Sequence, residues 1–202
     1  MSDTSIHSTP ATALVLGSTS RYRRELLQRL QLPFETAAPD VDETPMPGES
    51  PKDLAVRLAL AKARDVAIRY PDAIVIGSDQ VADLDGMPLG KPLTHERATS
   101  QLRQMRGREV IFQTAVAVVR QTTGYERCEL AQVKVLFRKL TDSEIERYLR
   151  AEQPYDCAGS AKSEGLGISL LERIDNDDPT ALVGLPLIRT CQLIRSAGGQ
   201  IP

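Results

Sequence analysis

Apolar residues in this chain fall into two kinds of stretch, compact β-branched runs and longer segments spaced three and four apart, and their alternation predicts an α/β protein. Residues 13–16 (ALVL) and 73–76 (AIVI) are short apolar runs closed by glycine, the pattern of buried strands. Residues 33–39 predict a short strand, and 110–119 and 130–137 two long ones joined across Thr122-Thr123-Gly124. Helical spacing places Leu26, Leu27 and Leu30 on one face after Ser20. It does the same for Leu54, Leu58, Ala61, Asp65 and Ile68 in a helix opened by Ser50 as cap and Pro51 at its first position. A third helix runs from Thr94 to the stop at Met105-Arg106-Gly107. Thr141-Asp142-Ser143-Glu144 has the form of a capping box, and it starts a fourth that reaches Ala151. Residues 157–174 (CAGSAKSEGLGISLLERI) predict a loop running into a strand. A last helix is expected after Asp177-Asp178-Pro179, through Leu182, Leu185, Ile188, Leu193 and Ile194.

The stretch at 73–92, AIVIGSDQVADLDGMPLGKP, organises the rest. Asp85-Gly86 is a strong two-residue hairpin signal that pairs Leu84 with Met87 and, continued along the ladder, Gln80 with Lys91. Asp79 then lies near the carboxyl end of its strand, where open α/β sheets favour ligands, with Lys91 brought back towards it. On local pattern alone, a turn aspartate and a solvated edge lysine describe the same residues equally well.

Composition narrows the class. The 202 residues are 41% hydrophobic and 26% charged, which suits one ordinary globular core, with a polar, disordered tail at 1–10. Twenty-five basic residues against 27 acidic ones leave a net charge of −2, so nothing draws the whole surface to nucleic acid or membrane, and any anion site must be local. No apolar run approaches the ~20 residues of a membrane span and residues 1–10 lack signal-peptide order, so a cytoplasmic protein is expected. Cys128, Cys157 and Cys191 are widely spaced and read as filler thiols rather than disulfide partners, zinc ligands or a nucleophile.

Candidate chemistry is scattered along the chain. Gly17-Ser18-Thr19-Ser20 joins a strand to a helix start, a ready anion site, and Arg21, Arg23 and Arg24 follow; Arg21 and Arg24 read better as solvent-facing. The loop lacks the Gly-Lys-Ser/Thr ending of a Walker A motif. Asp40, Asp42, Glu43 and Glu49 crowd a proline-rich loop and suit either a hard divalent cation or water. Lys62 lies between two alanines, and spacing alone does not raise it above a surface lysine. Lys162 and Glu164 read as ligand contacts or as part of a mobile turn.

Seven short motifs, in order, carry a resemblance: GSTSRYRRELL (17–27), VDE (41–43), AKA (61–63), GSDQV (77–81), GKP (90–92), AGSAKSEGLG (158–167) and VGLPL (183–187). Together they resemble the Maf family of nucleotide pyrophosphatases over about residues 13–195, and the Gln80 and Glu164 positions look like its 7-methyl-GTP branch rather than the dTTP and UTP branch. The resemblance implies a single Maf-like domain over 11–197. It implies an elongated, curved mixed sheet flanked by helices, of the Maf/ITPase-like kind, with two lobes around a central cleft. The implied activity is divalent-metal-dependent hydrolysis of a nucleoside triphosphate to monophosphate and pyrophosphate. On this basis Asp79 is the catalytic base, and Ser18, Arg23, Lys62 and Lys91 hold phosphates. Tyr22, Gln80 and Glu164 select the base, and Glu43 with Asp42 binds magnesium or manganese. Gly17 and Arg21 stand where many members have alanine and proline, which puts the shape of that loop in question. A nucleotide is the expected partner, with homodimerisation left open. Two alternatives stay open: a broader pyrophosphatase acting on dTTP, UTP or other modified nucleotides, and a nucleotide-binding regulator of cell division or septum formation.

Overall fold

The computed structural model describes residues 13–202; the tail expected at 1–10 lies outside the described residues. In chain order the elements are β1 Leu14–Gly17, α1 Arg21–Gln28, β2 Glu35–Thr36, α2 Pro51–Arg69, β3 Ile74–Leu84, β4 Met87–Leu89, α3 His95–Met105, β5 Glu109–Arg120, β6 Tyr125–Phe137, α4 Asp142–Glu152, β7 Leu171–Asp175 and α5 Leu187–Ser196. They build a seven-stranded mixed sheet in the order β2-β1-β3-β5-β6-β7, with β4 added to β3. β1 runs parallel to β2 and β3, and the other pairings are antiparallel.

Strand β3 spans both parts of this sheet. On one edge it pairs with β5 from Val75 to Asp83. On the other it pairs with β1 only as far as Gly77, and with β4 only from Ala82. Residues 78–81 therefore cross an opening in the ladder. Asp79 is in the middle of an eleven-residue strand rather than near its end, yet it sits just past the carboxyl end of the parallel pairing. The hairpin has the expected register, Leu84 with Met87 through Ala82 with Leu89, on a turn with Asp85 at φ 52° and Gly86 at φ 82°. Pairing stops there, so Gln80 and Lys91 are not ladder partners.

Three apolar clusters follow this division. Val15, Val75, Val81, Ala115 and Ala117 face α2 on one side of the parallel end. Leu16, Ile74, Ile76, Val116 and Val118 face α1 and α5 on the other. The long antiparallel arm packs Leu84, Phe112, Val133 and Val135 against α3 and α4 as a second lobe. Side chains alternate across β3, so Asp79 points to the α2 side, and Ser78 and Gln80 to the α5 side.

Helix α2 lies unusually close to the sheet. A Cβ added to Gly77 would stand 2.3 Å from the Ala59 carbonyl oxygen and 2.6 Å from the Ala63 nitrogen, and one on its register partner Gly17 would stand 3.3 Å from the Lys62 carbonyl oxygen. The buried face of α2 is Leu54, Ala55, Leu58, Ala59, Lys62, Ala63, Val66 and Ala67, whereas Ile68 is 71% exposed. The expected face was rotated because bulk outweighed the small residues that make contact. The last helix also differs. Residues 181–183 form a 3-10 turn, Gly184 takes φ 122°, and Pro186 caps α5, which begins only at Leu187.

Gly77→Ala should therefore drive α2 off the sheet and cost at least about 1–3 kcal/mol, lowering the melting temperature by roughly 4 °C or more. Gly90→Ala, with nothing within 4 Å, should leave it unchanged. Calorimetry of both variants checks this, and an unaltered melting temperature for Gly77→Ala would show that the contact is looser than described.

Candidate active site

The opening in the ladder forms the floor of a cleft of about 890 Å³ between the two lobes. Nine of the ten residues picked from the sequence line it: Ser18, Tyr22, Arg23, Glu43, Lys62, Asp79, Gln80, Lys91 and Glu164.

One group of these residues is charged. Lys62 is only 5% exposed, and its Nζ lies 2.7 Å from Asp79 Oδ1 and 2.7 Å from Glu43 Oε1. Burial pushes the Glu43 carboxyl up, but the Lys62 hydrogen bond, with the charges of Lys62, Lys91 and Arg23, more than offsets this and holds it below the usual carboxylate range. Glu43 is thus ionised at neutral pH. Arg23 projects from the first turn of α1, donating from Nε to the Gly184 carbonyl (2.9 Å) and from Nη1 to Ser18 Oγ (3.4 Å). Burial lowers its affinity for the proton, against the pull of Asp79 and Glu43. The loop before it is partly self-satisfied: Ser18 Oγ accepts the Ser20 amide and Ser20 Oγ, the α1 cap, accepts the Arg23 amide. Fewer free amides therefore face the cleft than the strand–loop–helix pattern suggested.

Asp42 is not part of this group. Its Oδ1 accepts the Thr44 amide at 2.9 Å, and it does not line the cleft. Asp79, distant in sequence, is the carboxylate brought to Glu43. Two other contacts fasten the 40–49 loop to α2. Glu49 holds Arg57 at 2.6 and 2.9 Å, and Asp65 of the helix accepts the Asp40 amide at 3.0 Å. Among the described residues no three His, Cys, Asp or Glu side chains converge as a metal cage. Glu43 and Asp79 are the two carboxylates that could share a hard cation.

Tyr22, Gln80 and Glu164 line the same cleft, each fixed by its own contacts. Burial keeps the Tyr22 hydroxyl protonated, and the hydroxyl accepts from Arg21 (2.6 Å) and donates to the Asp156 carboxylate (3.2 Å). The Arg21 guanidinium, itself largely exposed, stacks 4.7 Å from the ring centre and covers one face. Gln80 Nε2 lies 3.0 Å from Thr114 Oγ1 and from the Ala181 and Leu182 carbonyls. These acceptors fix its amide, so the Oε1 end is what remains for a ligand. Glu164 stands on a loop pinned from beneath: Lys162 Nζ and the Leu166 amide bind the two oxygens of Glu152, at 2.8 and 2.7 Å. Lys162 is accordingly a tie to α4, whereas Glu164 lines the cleft.

Cys157 also lines the cleft. Its thiol is pushed up to about 11, chiefly by burial, which keeps it protonated and unreactive at neutral pH. Two supporting residues were given no role from the sequence, although Ser78 lies within the GSDQV motif. Ser78 Oγ lies within reach of the Ala115 and Gly184 carbonyls, at 2.8 and 3.0 Å, and Asp156 anchors Tyr22 across the chain. Their roles exist only once distant segments meet.

Residues 13–197 match the Maf-like protein family. A 7-methyl-GTP pyrophosphatase from Polaromonas sp. is 74% identical over 95% of this chain and 90% of its own length. Another, from Albidiferax ferrireducens, is 70% identical over 92% of this chain and 93% of its own. Among solved structures, a HAM1 protein from Coxiella burnetii aligns with 64% of this chain and 74% of its own, at 17% identity and a TM-score of 0.46. A family match across both lobes and the whole cleft, with relatives so similar over nearly the full length, shows that this chain belongs to the Maf family.

Proposed function

We propose that this protein is a nucleoside triphosphate pyrophosphatase that hydrolyses 7-methyl-GTP to 7-methyl-GMP and pyrophosphate. The observation that carries this reading is a single cleft in which Asp79 and Glu43 share Lys62 and which Lys91, Arg23, Tyr22, Gln80 and Glu164 also line. The names of two highly similar relatives agree with it.

Phosphoryl chemistry is mostly positioning and charge neutralisation, and the charged group supplies both. Lys62, Lys91 and Arg23 are the cations for phosphate oxygens, with Ser18 Oγ beside Arg23. Asp79 orients a water and takes its proton as the water oxygen bonds to the α-phosphorus; the bond from that phosphorus to the bridging oxygen breaks, and pyrophosphate leaves with the electron pair. Glu43 and Asp79 would hold magnesium or manganese, since their oxygens converge on one point and both are hard donors. When bound, such an ion neutralises phosphate charge.

The base would lie against Tyr22. N7-methylation makes guanine cationic, so a nearby carboxylate favours it in a way it does not favour a neutral pyrimidine. Glu164 supplies the carboxylate and Gln80 Oε1 an acceptor for guanine N–H groups. A cytoplasmic location and a single catalytic domain over 11–197 complete this reading. Among the described residues, no helix is long and apolar enough to cross a membrane.

Asp79→Asn should lower kcat by roughly 10²–10⁴-fold while nucleotide binding, measured by calorimetry, persists. A kcat near that of the wild type would remove Asp79 from its role as base. Selectivity is checked by kcat/KM for 7-methyl-GTP, GTP, UTP and dTTP, with pyrophosphate as the measured product. The wild type should prefer 7-methyl-GTP, and Glu164→Gln should cost that substrate about 3–30-fold more than it costs GTP. An equal loss on all four would place Glu164 outside base selection, and a flat wild-type profile would make this a broader pyrophosphatase.

A further inference from the structure

The Lys62 ammonium occupies the point on which the two carboxylates converge. Asp79 Oδ1 on β3 and Glu43 Oε1 on the 40–49 loop each lie 2.7 Å from Nζ. Lys62 does not wander there by chance: it is buried, and it belongs to the segment of α2 whose backbone is pressed onto Gly77. A divalent ion drawing on the same two oxygens would have to stand within a few ångströms of that ammonium, in a partly desolvated site where like charges repel strongly. The protein's own donor set is also short, because no third carboxylate, histidine or cysteine joins these two among the described residues. Magnesium-like ions complete such a set with water and substrate phosphate oxygens.

We propose that Lys62 is a resident counter-cation that keeps a divalent ion off Glu43 and Asp79 until a polyphosphate is bound. The incoming phosphate oxygens give the ammonium a new anionic partner and supply the ligands the protein lacks. Metal and polyphosphate therefore bind with strong mutual cooperativity, and the nucleotide-free protein stores no metal. The two carboxylates stay paired meanwhile, with Lys62 doing what the ion does later. This deepens the function proposed above but rests only on its polyphosphate part, not on the identity of the base.

The test is Mn²⁺ binding to nucleotide-free protein, followed by titration calorimetry and by the electron paramagnetic resonance signal of free Mn²⁺. Lys62→Met should bind Mn²⁺ roughly tenfold or more tighter than the wild type, because the competing charge is gone. Lys62→Arg should stay as weak as the wild type, and adding Asp79→Asn to Lys62→Met should abolish the gain. In equilibrium dialysis, inorganic tripolyphosphate should raise Mn²⁺ retention by the wild-type protein. That ligand has no base, so a failure of 7-methyl-GTP selectivity leaves this result untouched. The proposal is overturned if nucleotide-free wild type binds Mn²⁺ as tightly as Lys62→Met. Should circular dichroism show Lys62→Met unfolded, the dialysis decides: equal Mn²⁺ retention with and without tripolyphosphate overturns it, and a clear increase upholds it.

Discussion

The close contact of α2 with β3 is the constraint on which the site depends. Because Gly77 has no side chain, Ala59 and Ala63 lie directly on the strand backbone, and the register partner Gly17 allows the same beside it. Lys62 is thereby delivered, buried, to a carboxylate two residues beyond Gly77. The same place is where β1 ends its pairing and β4 has not yet begun. Helix contact and ladder opening therefore coincide, and a charged cleft forms where the backbone of β3 has one free edge.

Placing a lysine and two carboxylates together in a partly desolvated position is not a route to stability in itself. Paired buried charges roughly offset their desolvation, and removing one partner leaves the other exposed to the full penalty. Such a group makes physical sense where a highly charged ligand will rearrange it. Arg23 shows the same economy, since one guanidinium ties the Gly184 carbonyl to Ser18 while facing the cleft. Other residues of the cleft are held by hydrogen bonds instead: Tyr22 by Asp156, Gln80 by two carbonyls and Thr114, and the Glu164 loop by Glu152. On the proposed function, the fixed contacts of Tyr22, Gln80 and the Glu164 loop would serve selection of a base, and the paired charges of Lys62, Asp79 and Glu43 neutralisation of a reacting phosphate.

What could be read from the sequence was whatever local chemistry encodes. Asp85-Gly86 specified the hairpin register, Thr141 with Glu144 the capping box, and the two short apolar runs the buried strand β1 and the start of β3, though not their parallel pairing. The motif order was enough to point to the family, which the family match and the similar relatives then showed. Non-local features were not legible. The burial of Lys62 depends on alanines, which carry little hydropathic signal, and the bulky but exposed Ile68 misdirected the expected helix face. Asp42 looked like the partner of Glu43 because it is adjacent in sequence, whereas the fold supplies Asp79 from another element. Pro186 and Gly184 were visible breaks within the last expected helix, and hydrophobic spacing was allowed to override them.

The central claim is that Asp79 and its cations direct water to the α-phosphorus, and isotope labelling tests this without altering the protein. Hydrolysis of 7-methyl-GTP in ¹⁸O-labelled water, followed by mass spectrometry of both products, reports which phosphorus was attacked. The account requires the label in 7-methyl-GMP and none in pyrophosphate. Label in pyrophosphate would mean attack on the β-phosphorus, and would contradict the orientation of substrate on which the assignment of the cleft residues rests.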